Sequence, residues 1–401
     1  MLPSRFSRRA ALTFGLGAAL APTRAWAQPP PAARALDRAS RCLLLGWRGP
    51  VVPSALLNLI ARDALGGVIV SRENLATPDD LTRVTSLLQA RVPRGAPPLL
   101  IAADQEGGPV AHLSPPLPSM PSLTTLGAID DPALTARCAS ALAASLRDAG
   151  VNLDLAPVLD VRTNRQNMVV YGRVFGSQAA LVAAHGLRFV RALQAAGVIA
   201  CPKHFPGHGG TREDSHAALP RVAASRDQLV ATELLPFAEV HREARAMMVA
   251  HVVYEGVDRD LPATLSPACA TGLLREHLGF QGVAITDDLE MQAIRARWGV
   301  VPGALRAMSA GCDLLTVAHT VSVGGAVATA LAQASERDPR FAARLDEAAS
   351  RVTALRRSLV QALPPNPYRE SLPRLLREVA QREAALGHRG PRASDPTTQR
   401  R

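Results

Sequence analysis

Lysine is almost missing from this 401-residue chain: of its 45 Lys and Arg side chains only Lys203 is a lysine. Aromatic residues are also scarce, with three tryptophans and three tyrosines, and no basic stripe interleaves with them, which disfavours nucleic-acid binding despite a net charge of +11. Most of that charge sits at the ends. Residues 1–27 carry four arginines and no acid, residues 369–401 carry eight arginines against four acids, and the body between is nearly balanced. The five cysteines, Cys42, Cys138, Cys201, Cys269 and Cys312, form no C-x-x-C pair, which excludes a metal ribbon or a redox motif of that kind. Most of them lie among apolar or small residues, as core fillers do. No Gly-x-Gly-x-x-Gly follows the first apolar run, which argues against an open, doubly wound dinucleotide-binding sheet.

The N-terminus reads as an export leader. Ser7-Arg8-Arg9 leads into an apolar run from Ala10 to Ala21, and Ala25-Trp26-Ala27 is a small-x-small cleavage signal. Paired arginines before a modest apolar stretch predict a twin-arginine leader and a periplasmic address; an ordinary secretory leader or a retained anchor are the alternatives, and the run is short for a membrane span. The expected organisation is a leader over 1–27, one large domain over 28–368, and an Arg-rich tail over 369–401 that is helical or disordered.

Eight short apolar runs recur along the body: Cys42 to Leu45, Gly67 to Val70, Leu99 to Ala102, Val151 to Leu155, Val198 to Cys201, Met247 to Ala250, Gly282 to Ile285 and Asp313 to Val317. Helical stretches lie between them, including Ala133 to Ala149, Gln178 to Ala195, Arg226 to Ala244 and Val301 to Ala310, with Gly150 and Gly197 where helix C-caps belong. Strands buried on both faces and alternating with helices predict an α/β fold with a parallel sheet, and eight such units predict a single-domain TIM (β/α)8 barrel.

Polar residues gather at or just beyond the ends of these runs: Asp104, Gln105 and Glu106; Asp154 and Asp160; Lys203 and His204; His251; Asp287 and Asp288. In a barrel these ends converge on one rim, where active sites form. Carboxylates dominate, without a serine or cysteine nucleophile elbow. That set suits glycoside hydrolysis, which needs a carboxylate facing the anomeric carbon and a proton donor facing the leaving oxygen. A metal reading competes, with His204, His208, Asp214 and His216 as ligands; Pro206 and Gly207 prevent the helix that would align the first two, and no metal or organic cofactor is expected.

Several segments together resemble glycoside hydrolase family 3, and within it the single-domain β-N-acetylglucosaminidases of peptidoglycan recycling. They are Gly46-Trp47-Arg48-Gly49, Gly66 to Val70, Asp104-Gln105-Glu106-Gly107-Gly108, Ala156 to Val161, Gly172-Arg173-Val174-Phe175-Gly176, Lys203 to Gly209, Asp214-Ser215-His216 and Thr286-Asp287-Asp288-Leu289. The resemblance implies a retaining exo-β-N-acetylglucosaminidase acting on muropeptides or related GlcNAc glycosides, and the chain is expected to be monomeric or weakly associating. It implies Asp287 as nucleophile, with Asp288 as runner-up, and His216 as general acid/base oriented by Asp214. Histidine can do this work because its ordinary pKa lies near the working pH. Asp104, Arg173, Lys203 and His204 match the sugar-binding positions. Alternatives are a phosphorylase using the same intermediate, and an idle barrel that binds wall fragments.

Two features depart from the family pattern. Pro109 and His112 stand where two arginines are common, which makes His112 the candidate contact on that side and puts the fit of the sugar or aglycone in question. The export leader is the other, since the recycling enzymes usually act in the cytoplasm.

Overall fold

The computed structural model describes residues 31–212, 218–360 and 371–387. Its centre is a parallel sheet built from the apolar runs: β1 (Leu43–Leu45), β2 (Gly67–Ile69), β3 (Leu100–Ala103), β4 (Leu153–Asp154), β5 (Ile199–Ala200), β6 (Ala246–Val249), β7 (Val283–Thr286) and β8 (Leu315–Val317). Six of them pair in the order β8-β1-β2-β3-β4-β5, with Leu43 opposite Leu315 and Leu44 opposite Gly67, and β6 pairs with β7. Single bridges continue the pairing, Phe205 to Val249 between the β5 and β6 segments and Ile285 to Leu314 between β7 and β8. Because every one of these pairs is parallel, all the C-terminal strand ends share one edge.

Nearly every strand residue is buried, as the unbroken apolar runs require. Side chains on one face, including Leu44, Leu100, Leu153, Ile199, Met248 and Ile285, form a core of their own, and the opposite face joins a larger core under the helices. The predicted helices appear as Pro132–Asp148, Ala179–Ala195 and Val300–Ala310, and Gly150 takes the positive φ of 79° that lets the chain leave the first of them. The stretch from Arg226 to Ala244, expected as one helix, is two: Arg226–Ala231 and Leu235–Val240. Pro236 has no N–H to carry the ladder across the break.

At the opposite edge Arg356 is buried and reaches the carbonyls of Leu65, Pro97 and Pro98 and the carboxylate of Asp63, tying together the segments that enter β2 and β3. Within the predicted tail the helix Leu372–Ala385 buries Leu375 and Val379 and is pinned by Arg137 to Glu378 and Arg382 to Asp131. All five cysteines are free and buried. Among the described residues no helix is long and apolar enough to cross a membrane.

Candidate active site

The C-terminal strand ends surround a cavity of about 940 Å³. Asp104, His112, Arg173, Lys203, His204 and Asp287 all line it, so residues spread over more than 180 positions are brought together. Asp214 and His216 lie outside the described residues.

A chain of alternating charges forms one wall. Lys203 donates to Asp104 Oδ1 at 2.6 Å and lies 2.7 Å from Glu106 Oε1, while Arg173 grips both oxygens of Glu106 at 2.7 and 2.9 Å. Glu106 was seen in the sequence only as part of the rim, not as a binding residue. It is the buried hub, on the short hairpin Gln105–Gly107 and Val110–Ala111. The signal was its spacing from Asp104: positions i and i+2 of an extended segment share a face. Burial by itself would raise the Glu106 carboxyl, but Arg173 and Lys203 outweigh it and hold the pKa down at about 2. Burial opposes the charge on Lys203 too, and Asp104 and Glu106 outweigh it, so the ammonium is kept and a proton-abstracting role is closed to it.

His204 is fixed through Asp160, whose carboxylate meets the ring Nδ1 at 2.8 Å and accepts from the backbone N–H of His204 at 3.1 Å and of His208 at 2.7 Å. Asp160 therefore lies beneath the cavity as a support. Asp154, also expected at the rim, does not line the cavity: one oxygen accepts from Gln105 N at 3.1 Å, the other has no hydrogen-bond partner, and burial pushes its carboxyl well up, favouring the neutral acid. The stem of the loop after Lys203 is clamped by Asn167, which donates to the carbonyls of His208 and Gly209 at 2.9 and 3.3 Å, and by Tyr254, which donates to Gly207 O at 2.8 Å. At Gly209 an added Cβ would lie 1.8 Å from Val161 O, so no larger residue can make this approach.

Opposite this wall, Asp287 leaves β7 half-buried, its N–H donating to Val249 O at 3.1 Å and its Oδ1 accepting from Asp288 N at 2.9 Å. Asp288 is engaged elsewhere: its Oδ1 accepts from Glu290 N and Ala318 N at 3.1 and 3.0 Å, and burial lifts its pKa to about 6. The sixth-strand histidine, His251, is buried, with Nε2 3.0 Å from the Asp288 carbonyl, so it buttresses the turn from below. Among the described residues no group of three or more His, Cys, Asp and Glu side chains could hold a metal ion. Of the four candidate ligands, His204 and His208 already have Nδ1 engaged, by Asp160 and Thr211.

The model of the glycosyl hydrolase family 3 N-terminal domain matches residues 52–355. The chain belongs to glycosyl hydrolase family 3. This family 3 chain is 36% identical over 284 residues to a protein of Stenotrophomonas maltophilia (strain R551-3) named beta-hexosaminidase, covering 69% of this chain and 83% of that one. It is 36% identical over 282 residues to the beta-hexosaminidase A of Pseudoalteromonas piscicida, covering 66% of this chain but only 47% of that longer protein, so it spans about half of that relative. Among solved structures it is similar to a family 3 β-N-acetylglucosaminidase from Paenibacillus sp. str. FPU-7, with TM-score 0.80 and 37% identity over 86% of this chain and 68% of the other.

Proposed function

We propose that this family 3 chain is a retaining exo-β-N-acetylglucosaminidase that removes non-reducing terminal GlcNAc from peptidoglycan fragments. The observation that carries the reading is the placing of Asp287 across one cavity from the Asp104-Lys203-Glu106-Arg173 network. Asp104, Lys203, His204 and Arg173 would hold the hydroxyls and the N-acetyl group, with His112 at the hairpin side. Asp287 would attack the anomeric carbon, forming a C1–O bond as the glycosidic C1–O bond breaks. His216, oriented by Asp214, would give its proton to the leaving oxygen and take one back from the water that resolves the glycosyl-enzyme. The bridges from β5 to β6 and from β7 to β8 support reading the sheet as a closed (β/α)8 barrel whose mouth is this cavity. The leader over residues 1–27 places the reaction in the periplasm in this account, and the chain works as a monomer without a cofactor.

A fluorinated GlcNAc inactivator tests the covalent step. Mass spectrometry of the digested protein is expected to find the sugar on Asp287, and Asp287→Ala is expected to lower turnover on an aryl GlcNAc glycoside on the order of thousands-fold. A label on Asp288 or Glu106 overturns the assignment of the nucleophile. Release of GlcNAc 1-phosphate when phosphate is added would make the enzyme a phosphorylase.

A further inference from the structure

The cavity has two unlike halves. On the half built from β3 to β5 the acids and bases neutralise one another. The half built from the loops after β7, β8, β1 and β2 brings three more guanidiniums to the cavity, those of Arg48, Arg72 and Arg295, all exposed. Among the described residues none of the three pairs with an acid; Arg295 meets only the amide oxygen of Gln292, at 3.0 and 3.3 Å.

Three acids of this half face groups other than these arginines. Glu290 accepts from the backbone N–H of His319 and Thr320 at 2.7 and 3.1 Å, Asp288 accepts from the N–H of Glu290 and Ala318, and Glu73 faces His319 Nδ1 at 3.6 Å. The loops are also fixed to one another. Buried Asn74 donates to Trp47 O at 2.6 Å and accepts from Ser71 N at 2.8 Å, so the loops bearing Arg48 and Arg72 are joined at their bases. The geometry points to a subsite for an anionic leaving group: a carboxylate on the sugar or peptide beyond the scissile bond, held by Arg48, Arg72 and Arg295.

This inference rests on the hydrolase reading and adds to it the chemistry of the aglycone. The arginine fork matches a carboxylate in a way that a hydroxyl-rich neutral sugar does not exploit, and a guanidinium that has no ion-pair partner at a concave site keeps donors for an anionic substrate. His112 and Pro109 leave the hairpin itself without arginines, and Arg173 beside it is taken up by Glu106, so the ligand's anion has its guanidinium partners on the opposite arc.

The test uses the whole enzyme and two disaccharides, GlcNAc β-1,4-linked to N-acetylmuramic acid and the methyl ester of the same compound. The ratio of kcat/KM for acid over ester is expected to be about tenfold or more in the wild type, as charge-assisted hydrogen bonds allow. It should fall towards one in the Arg48→Gln/Arg72→Gln double variant, and fall in the wild type when about 0.5 M salt screens the charges. Arg295→Gln alone should lower the ratio in the same direction, and melting temperatures of these surface variants check the fold. A wild-type ratio near one, or a ratio that the substitutions leave unchanged, overturns the subsite. Inhibition of both disaccharides alike by inorganic phosphate would assign the arc to an acceptor and also overturn it. Failure of the hydrolase reading looks different: the wild type would then leave an aryl GlcNAc glycoside uncleaved.

Discussion

Two carboxylates in this molecule are buried and clasped by several cations, at opposite edges of the sheet. At the entry to β8, Asp313 is ringed by Arg275, Arg344 at 2.6 Å and Arg351 at 3.3 Å, and also accepts from Ala284 N at 2.9 Å. Those arginines also donate to the carbonyls of Phe280, Gly282 and Cys312 and to Glu347, so the cluster is turned towards the protein and not towards the cavity. Beyond the end of β3, Glu106 is clasped by Arg173 and Lys203, but there the network opens through Asp104 onto the cavity. Similar groups thus serve two ends: where strands begin, the ion cluster closes a seam, and where they finish it can present charge to a ligand.

Breaking the Asp313 cluster should give the largest effect on stability. Asp313→Ala leaves three guanidiniums facing one another with only the exposed Glu347, which meets Arg344 and Arg351, as a counter-ion, and removing one partner of a buried ion pair typically costs about 3–5 kcal/mol. Urea unfolding should show a lower midpoint of that order, while kcat/KM of the folded fraction on an aryl GlcNAc glycoside stays at the wild-type value. Equal stability would mean that the cluster is dispensable, and a specific loss of kcat would mean that the two edges of the sheet are not separate in function.

Lys203→Arg sharpens the contrast from the other side. The substitution keeps the charge but puts a planar fork where a compact ammonium reaches Asp104 and Glu106 at 2.6 and 2.7 Å, beside a guanidinium that already occupies both oxygens of Glu106. Activity on the aryl glycoside should fall about a hundredfold from misplaced contacts, with a melting temperature close to wild type. A fully active arginine variant would make the chain's one lysine an accident of composition.

The sequence carried the sheet because all eight strands are apolar runs with turn residues on either side, and burial on both faces leaves little room for another pattern. Period alone could not place the break before Pro236, where one helical stretch becomes two. The rim was legible because parallel strands send their C-terminal ends one way, yet the roles within it were not. Asp104 and Glu106 read alike in sequence, and only the approach of Arg173 from 67 residues away makes Glu106 the hub. Asp154 and Asp160 also read alike and both are buried, which pushes each carboxyl up; His204 and His208 beside Asp160 hold that one down. Arg48, Arg72 and Arg295 were invisible as a group, because in a chain so rich in arginine only the missing acid partners mark them out.

The smallest effect expected is a pH dependence at the open edge of the sheet, where His208 lines the cavity. Burial, with His204 beside it, lowers the pKa of His208 from the ordinary 6.5 to about 4, so the folded protein holds this ring neutral where the unfolded chain would protonate it. Between pH 6.5 and 4 the unfolded state therefore binds more protons, and stability rises with pH through that window and is fully present above it. Glu106, depressed to about 2, contributes stability that is complete above its ordinary carboxylate pKa and is lost only as pH falls towards 2, so it is silent between pH 7 and 5. Lowering the pH from 7 to 5 should cost the wild type at most about 2 kcal/mol through His208. Thermal unfolding at the two pH values should show a smaller fall in melting temperature for His208→Asn than for wild type. An identical fall in the wild type and in His208→Asn would show that acid acts elsewhere than at His208.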